Sequence, residues 1–455
     1  MGRTDVRAAA TQPTLGTSRE FFAAAVAIVV AGYAIVFWRG WTLTRIDWFS
    51  AILASAALGY SFSLREPDRL THDAAAKRDE LLSQFAVFVV FLAFYSITAG
   101  SDVSPYNAHV RQAIAFIHGH TYIDAPNYIE HAQVGPYSYQ LHPILPAILL
   151  MPFAAIWELE TNQSYFSIFV GALDIALAWR LLGRFRLTLN ARKWLTVFFG
   201  AGTIIWYETI DGSSWALSMI VAVGTTLFAL DETFDKGRPA AVGFFAGIAA
   251  LARYDLAFAW PAYLALLLFW RRRTIPELFS FIPGCALTGI AFVVFNYARY
   301  RSIFDEGVAS YLSTTPMTGQ ALFAVRWLPN NLFTLFFMAP RIDTKFPFIY
   351  PTFGGQSVLT TSPAVILALR ASWRRLDVAL VGAGALLAAI PVLFFVGNGA
   401  SQFGTRHFVH TFPFVLVLMA LGNRRMDQMS RVLIIVSICL IAWGIWCIRF
   451  YGLPA

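Results

Sequence analysis

The sequence predicts an all-α fold: a polytopic transmembrane helical bundle of about 13 spans, with interfacial helices in its first large non-cytoplasmic loop. Three observations predict it. Of 455 residues, 58% are hydrophobic and 16% aromatic, and only 13% are charged, where a soluble domain has roughly a quarter charged. Runs such as 21–38 and 378–397 approach the roughly 20 apolar residues that cross a bilayer. These runs lack strand alternation, and a span must satisfy its own backbone, so helices are the expected solution.

In chain order, residues 1–20 are polar, with Arg3, Arg7 and Arg19, and read as a cytoplasmic tail ahead of one transmembrane domain, 21–455. Spans are expected at 21–38, 48–63 and 82–99. The loop 64–80 contains Arg65, Arg69, Lys77 and Arg78. Basic loops stay cytoplasmic, which places 100–142 on the opposite face. The stretch 142–157 is apolar, but a crossing there would carry Arg180, Arg184, Arg186, Arg192 and Lys193 outside. That conflict, the shortness of the run and the breaks at Pro143, Pro146 and Pro152 predict an interfacial or re-entrant helix instead. Residues 106–117 show the same amphipathic spacing. The whole of 100–157 is therefore expected to be an outer loop with helices lying on the membrane.

Later spans are expected at 165–181, 194–208, 214–231, 239–252, 256–270, 278–296, 358–369, 377–396, 407–422 and 431–449. This alternation puts Arg271–Arg273, Arg370, Arg374, Arg375, Arg424, Arg425 and Arg431 on the cytoplasmic side, and makes 331–339 a second interfacial piece. The net charge of +8 is explained by these orienting residues rather than by nucleic acid. Cys285, Cys439 and Cys447 lie in apolar runs, so no disulfide framework or zinc site is expected. The first apolar run lacks a small-residue cleavage site and reads as a span, not a cleaved signal.

On this topology the outer face collects 101–123 with 136–152, 206–217 (WYETIDGSSWAL), 251–258 (LARYDLAF), and 346–369 with 403–422. The set resembles the GT-C superfamily of integral-membrane glycosyltransferases. The matching pieces are Asp102, Tyr106, Gly119 and His142-Pro143-Ile144-Leu145 in the first loop, the Arg of GIAALARYD (247–255), the Gly-rich 352–363 ending Ser-Pro, and Phe-Gly-x-Arg at 403–406. The sequence departs from the family where Val103 follows Asp102, and where Trp215 stands near the place of a frequent His. The resemblance implies a sugar donor linked to polyprenyl phosphate, an acceptor that is a glycan, lipid or protein, and a site on the outer face of a cell membrane.

Chemistry assigns the candidates their roles. Inverting transfer needs a carboxylate that takes the acceptor hydroxyl proton. Asp102 comes first for this, with Asp211 and Glu208 next. The leaving polyprenyl phosphate needs fixed cationic donors: Arg406 and Arg253, then Lys345, Arg341 and His407. The plainer reading of Arg253 is a local pair with Asp255. Tyr106, His142, Tyr139, Trp215 and Tyr350 are candidates for substrate contact, against the default of an interfacial aromatic belt. Five of the eight histidines lie in the first loop, yet no acidic or Cys partner at ligand spacing accompanies them, so no metal or other cofactor is indicated. The competing class is a transporter or flippase of a lipid-linked or small polar substrate. Transporters gather ionisable groups mid-span, whereas here they gather in loops and at span ends, apart from Asp174.

Overall fold

A computed structural model of the chain describes residues 74–99, 104–124, 131–304, 307–312, 320–397, 399 and 402–451. The expected tail, the spans at 21–38 and 48–63, and Asp102 lie outside the described residues. The chain divides between Ser101 and Asp102 into two units. In the first, α1 (Ala74–Ala99) covers the expected span at 82–99, and its stretch Glu80–Ala99 is long and apolar enough to cross a membrane.

The second unit opens with α2 (Ala108–Ile117), a hairpin of β1 (His131–Val134) and β2 (Tyr137–Gln140), and α3 (Leu145–Trp157). The hairpin is an addition to the all-α expectation. Gly135, with φ +59°, turns the chain between Val134 and Tyr137, a conformation that glycine adopts without the steric cost of a Cβ. The apolar residues of α3 stay short of a crossing length, and Ile148, Leu149, Phe153, Ile156 and Trp157 remain exposed.

Beyond it run α4 (Gln163–Leu182), α5 (Leu189–Ala201), α6 (Ile205–Asp211), α7 (Ser214–Phe234) and α8 (Pro239–Ala252). A helical segment Tyr254–Trp270 follows, with α9 (Trp260–Ala265) at its centre. Then come α10 (Ile282–Tyr300), α11 (Leu328–Phe336), a small hairpin of β3 (Arg341–Ile342) and β4 (Ile349–Tyr350), α12 (Leu376–Phe394), α13 (Phe412–Gly422) and α14 (Gln428–Tyr451).

Six described helices are long and apolar enough to cross a membrane: Glu80–Ala99, Gln163–Leu182, Ser214–Phe234, Ile275–Tyr300, Leu376–Phe394 and Gln428–Tyr451. The expected count of about 13 is not confirmed among the described residues. The span expected at 194–208 is two helices broken at Gly202–Ile204, with α6 too short to cross. The one at 358–369 is a single α-turn followed by a 3₁₀ segment. Those at 239–252, 256–270 and 407–422 are shorter apolar helices.

Helix starts are written in side chains. Asn162 accepts from the Tyr165 amide at 3.0 Å and Thr188 from the Ala191 amide at 3.2 Å, filling donors that a first turn leaves open. The segments alternate end to end. At one end Arg180 and Arg184 bind Asp231 at 2.8 and 2.7 Å, Arg184 reaches Asp235 at 2.8 Å, Arg273 donates to the Gly237 carbonyl, and the Thr188 amide donates to the Arg424 carbonyl. The basic clusters expected on one face are therefore gathered at one end of this unit.

Close packing of α8 and α10 runs through glycines. A Cβ on Gly284 would fall on the Gly243 backbone and within 2.6 Å of Phe244 Cα, whereas one on Gly289, on the same helix, would meet nothing within 4 Å. Small residues let two backbones approach where no side chain can interdigitate. Gly284→Leu is expected to lower stability by about 1–3 kcal/mol, read as a fall in thermal midpoint in detergent, while Gly289→Leu leaves the midpoint unchanged.

Candidate functional site

The opposite end of the second unit brings together most of the sequence-selected residues. The loop after α6 is set by Gly212, whose φ of +57° ends the helix in a left-handed turn, and a Cβ there would sit 2.6 Å from Ser164 Cα. Gln163 at the start of α4 donates to the Gly212 carbonyl at 2.9 Å and to the Tyr106 carbonyl at 3.1 Å. Ser214, at the start of α7, donates to the Tyr106 carbonyl at 2.7 Å and accepts from the Ala108 amide at 2.8 Å. His109, fully buried, bonds through Nε2 to the Ser214 carbonyl at 2.8 Å. These bonds hold the entry to α2 against the starts of α4 and α7.

Aromatic rings fill the space above. Tyr106 packs on Trp215 with centroids 4.8 Å apart, His142 lies 6.5 Å from the Trp215 ring, and His109 and His142 are 5.3 Å apart. The Arg406 guanidinium sits 5.1 Å from the centre of the Trp215 ring, an arrangement favoured by the ring quadrupole. Arg406 is delivered by the 403–406 turn. Gly404, with φ +72°, presses on Ile204, and Phe403 packs edge-on to Tyr207 at 5.9 Å, so the turn rides on α6.

Arg406 and Glu208 are the charged groups most withdrawn from solvent here, 7% and 1% exposed. Arg406 Nε and both Glu208 carboxyl oxygens have no hydrogen-bond partner among the described residues. Burial pushes the Glu208 pKa up to about 8, with Arg406 opposing and Asp211 adding to the rise. Burial also raises Asp211, whose carboxylate accepts from the Ser213 hydroxyl and amide in opposition. His142 is pulled down to about 3 by burial and then by the guanidinium groups of Arg253 and Arg406. A neutral imidazole beside two fixed cations is the arrangement electrostatics favours. Arg253 binds Asp255 at 2.5 Å, the local pair anticipated as its plainer role, yet its Nε is buried without a partner.

Eight candidates thus share this end: Tyr106, His142, Glu208, Asp211, Trp215, Arg253, Arg406 and His407, the last adjoining Arg406 in the chain and falling within its electrostatic reach. Asp102 lies outside the described residues. Four candidates do not join. Arg341 and Lys345 are exposed on the β3–β4 hairpin, where Arg341 pairs loosely with Asp343 at 3.9 Å. Tyr350 is turned away, its hydroxyl donating to the Phe346 carbonyl and its ring facing Tyr451. Tyr139 is buried on β2 against Tyr300 at 5.5 Å, and strand alternation gives the other face to Gln140, whose side chain bonds the His142 backbone.

Residues that sequence reasoning passed over also belong here: His109, Gln163, Ser214, and His410, which is buried with Nε2 donating to the Ala388 carbonyl at 3.2 Å. For His109, Ser214 and His410 the signal was position, each lying within one turn of a candidate (Tyr106, Trp215 and Arg406), whereas Gln163 had no such neighbour. Among the described residues no three His, Cys, Asp or Glu side chains come together as metal ligands. No family model, curated protein or solved structure matches the chain.

His109 and His142 are held neutral when folded and take up protons when unfolded, so their contribution to stability is complete above about pH 6.5 and declines as pH falls below it. Glu208 and Asp211, raised by burial, act in the opposite sense. The histidine part is isolated by substitution: the thermal-midpoint advantage of the wild type over His142→Asn is expected to shrink when pH is lowered from 7.5 to 5.

Proposed function

We propose that this protein is a GT-C-like membrane glycosyltransferase, moving a sugar from a polyprenyl-phosphate donor to a glycan, lipid or protein acceptor on the non-cytoplasmic face of a cell membrane. The supporting observation is Arg406: a buried guanidinium with an uncommitted Nε, backed by Trp215 and near enough to act electrostatically on the buried Glu208 and Asp211. A buried cation without a bonded anion costs several kcal/mol, and a ligand phosphate would offset that cost. Six described helices of crossing length, with shorter apolar helices beside them, support a polytopic membrane protein; the reading takes α5 in place of the 194–208 span, with α6 outside it.

In this reading Arg406 and Arg253 hold the donor phosphate. The acceptor oxygen attacks the anomeric carbon, the carbon–oxygen bond to phosphate breaks with inversion, and the polyprenyl phosphate leaves with its charge met by the guanidinium groups. A carboxylate takes the hydroxyl proton. Asp102 keeps that assignment from the sequence, and Asp211, already oriented by Ser213, is the described alternative. Tyr106, His142 and Trp215 wall the sugar pocket. The apolar faces of α3 and α11, whose Phe333, Phe336 and Phe337 are exposed, form a path for the isoprenoid tail.

The transporter reading rests on Asp174, buried in α4 against Gly224 of α7 with Oδ2 unpartnered. Radiolabelled polyprenyl-phosphate sugars separate the two. Purified wild type is expected to release polyprenyl phosphate, and Arg406→Ala to lose about 10²–10³-fold of that rate, with Asp102→Asn or Asp211→Asn abolishing turnover according to which acts as base. No release across a donor panel, with substrate movement across proteoliposomes abolished by Asp174→Asn, would replace the enzyme by a transporter.

A further inference from the structure

The β3–β4 hairpin carries three residues that the candidate site left out: Arg341, Lys345 and Tyr350. A water-facing turn of this length would be polar. This one displays apolar side chains instead. Ile342 is 81% exposed, and Phe346, Phe348 and Ile349 are exposed beside it. Two paired residues per strand give an isolated hairpin no stability of its own, so its shape depends on what it rests on.

That support is α14. Phe346 meets Trp446 edge-on at 6.1 Å and Tyr451 at 5.7 Å, Tyr350 lies 6.4 Å from Tyr451, and the Cys447 thiol sits 3.9 Å from the Ile349 carbonyl. α14 is apolar and long enough to cross a membrane. Its start belongs to the basic end, where Asp427 receives Arg370. The hairpin is therefore held against the last turns of a helix of crossing length, at the end that carries the candidate site. Aromatic residues concentrate where such a helix leaves the hydrocarbon, and Trp446, Phe450 and Tyr451 on the helix, with Phe346 and Tyr350 on the hairpin, form a collar of that kind.

The cations complete the pattern. Arg341 and Lys345 are exposed on the same hairpin. The carboxylate beside Arg341 is that of Asp343, at a loose 3.9 Å. Asp343 is also engaged locally, accepting from the Lys345 amide at 3.2 Å and the Thr344 hydroxyl at 3.4 Å. Exposed apolar side chains at the boundary of a spanning helix, with cations among them, match a leaflet surface in both halves: hydrocarbon for the rings and phosphate for the charges.

We propose that the β3–β4 hairpin is a leaflet anchor, with Phe346, Phe348 and Ile349 seated at the hydrocarbon boundary and Arg341 and Lys345 holding the phosphates of anionic phospholipids. The proposal needs only a membrane protein, and stands apart from the sugar-transfer reading. It gives Arg341 and Lys345 a phosphate ligand in the surrounding bilayer rather than in the candidate site.

The test places a fluorophore at Ile342→Cys in a Cys439→Ala background, since Cys285 and Cys447 are buried. The full chain is set in phosphatidylcholine nanodiscs containing nitroxide-bearing phosphatidylglycerol or, at equal mole fraction, nitroxide-bearing phosphatidylcholine. A basic residue at an anionic surface favours it by about fivefold. With Asp343 offsetting one of the two cations, phosphatidylglycerol is expected to show a local association constant about fivefold above phosphatidylcholine. That preference is expected to collapse when salt rises from about 0.1 M to about 1 M. Arg341→Gln combined with Lys345→Gln should leave quenching by phosphatidylcholine intact and bring the ratio to about one. Equal quenching by both lipids in the wild type overturns the proposal, as does a preference that survives the double substitution. A fluorophore that neither lipid quenches overturns it as well: in water the hairpin has left the leaflet, and in a dry environment another protein or a second copy covers it.

Discussion

Arg406 is the residue around which one end of the second unit is arranged. A guanidinium keeps its charge at any accessible pH, so burying it commits the fold to surround it with compensation. The compensation visible here is partial: the face of Trp215 and the field of two carboxyls. Neither is a bonded counter-ion. The neighbouring imidazole of His142 yields instead, its proton affinity lowered first by burial and then by the two guanidinium groups. A neutral ring can stand where a second cation could not, and this is what allows Arg253 and Arg406 to influence the same histidines without mutual expulsion.

The two ends of the bundle solve charge in opposite ways. At the basic end every pairing is direct: Asp231 receives Arg180 and Arg184, Glu232 receives Arg238 at 2.8 Å, and Asp427 receives Arg370 at 2.9 Å. Those carboxylates are anchors between helix ends, and the exposure of several of their partners makes each worth little alone. At the other end Arg253 keeps a direct pair with Asp255, but Glu208 and Arg406 are buried without a bonded counter-ion among the described residues. A protein under pressure only to fold would close such gaps, since a half-satisfied buried network is worse than an apolar core. The unbonded Glu208 and Arg406 atoms, beside backbone turns shaped by Gly212 and Gly404, are features that a binding site would use.

The sequence made this end legible through charge bias and loop chemistry, and obscured it where geometry decides. Basic clusters identified which helix ends belong together, and that alone brought Glu208, Asp211, Trp215, Arg253 and Arg406 onto one side before any contact was known. The same reasoning chose Lys345 and Arg341, because a hairpin that displays its cations outward looks identical in sequence to one that turns them in. Periodicity found the long helices but read 194–208 as continuous. The break at Gly202–Ile204 coincides with the seat of the 403–404 turn on Ile204 and Tyr207, a tertiary contact that periodicity does not reveal. The β1–β2 hairpin was missed for a related reason: its strands are four residues each, too short for alternation to separate from an irregular loop.

Location within the bundle also bears on the choice between chemistry and transport. A carrier must let its substrate site face both sides, so its ionisable groups belong near the middle of broken helices. Here the continuous helices α4 and α7 pass Asp174 without interruption, packed closely enough that its carboxyl lies against Gly224. Breaks in helical structure near the candidate site fall at Gly202–Ile204, at Gly212, at the 403–406 turn and at the end of α12. There the amide of Asn331 donates to the carbonyls of Val392, Leu393 and Phe395 at 3.1, 3.0 and 2.9 Å. By capping α12, Asn331 fixes amphipathic α11 beside the 405–408 turn, so an apolar ramp and a buried cation are held by one side chain. That juxtaposition suits a ligand with a hydrocarbon tail and an anionic head: the tail would lie on α11 while the head reaches Arg406. A small polar cargo would have no use for the ramp, which favours, within the proposed reading, a ligand that enters from the side.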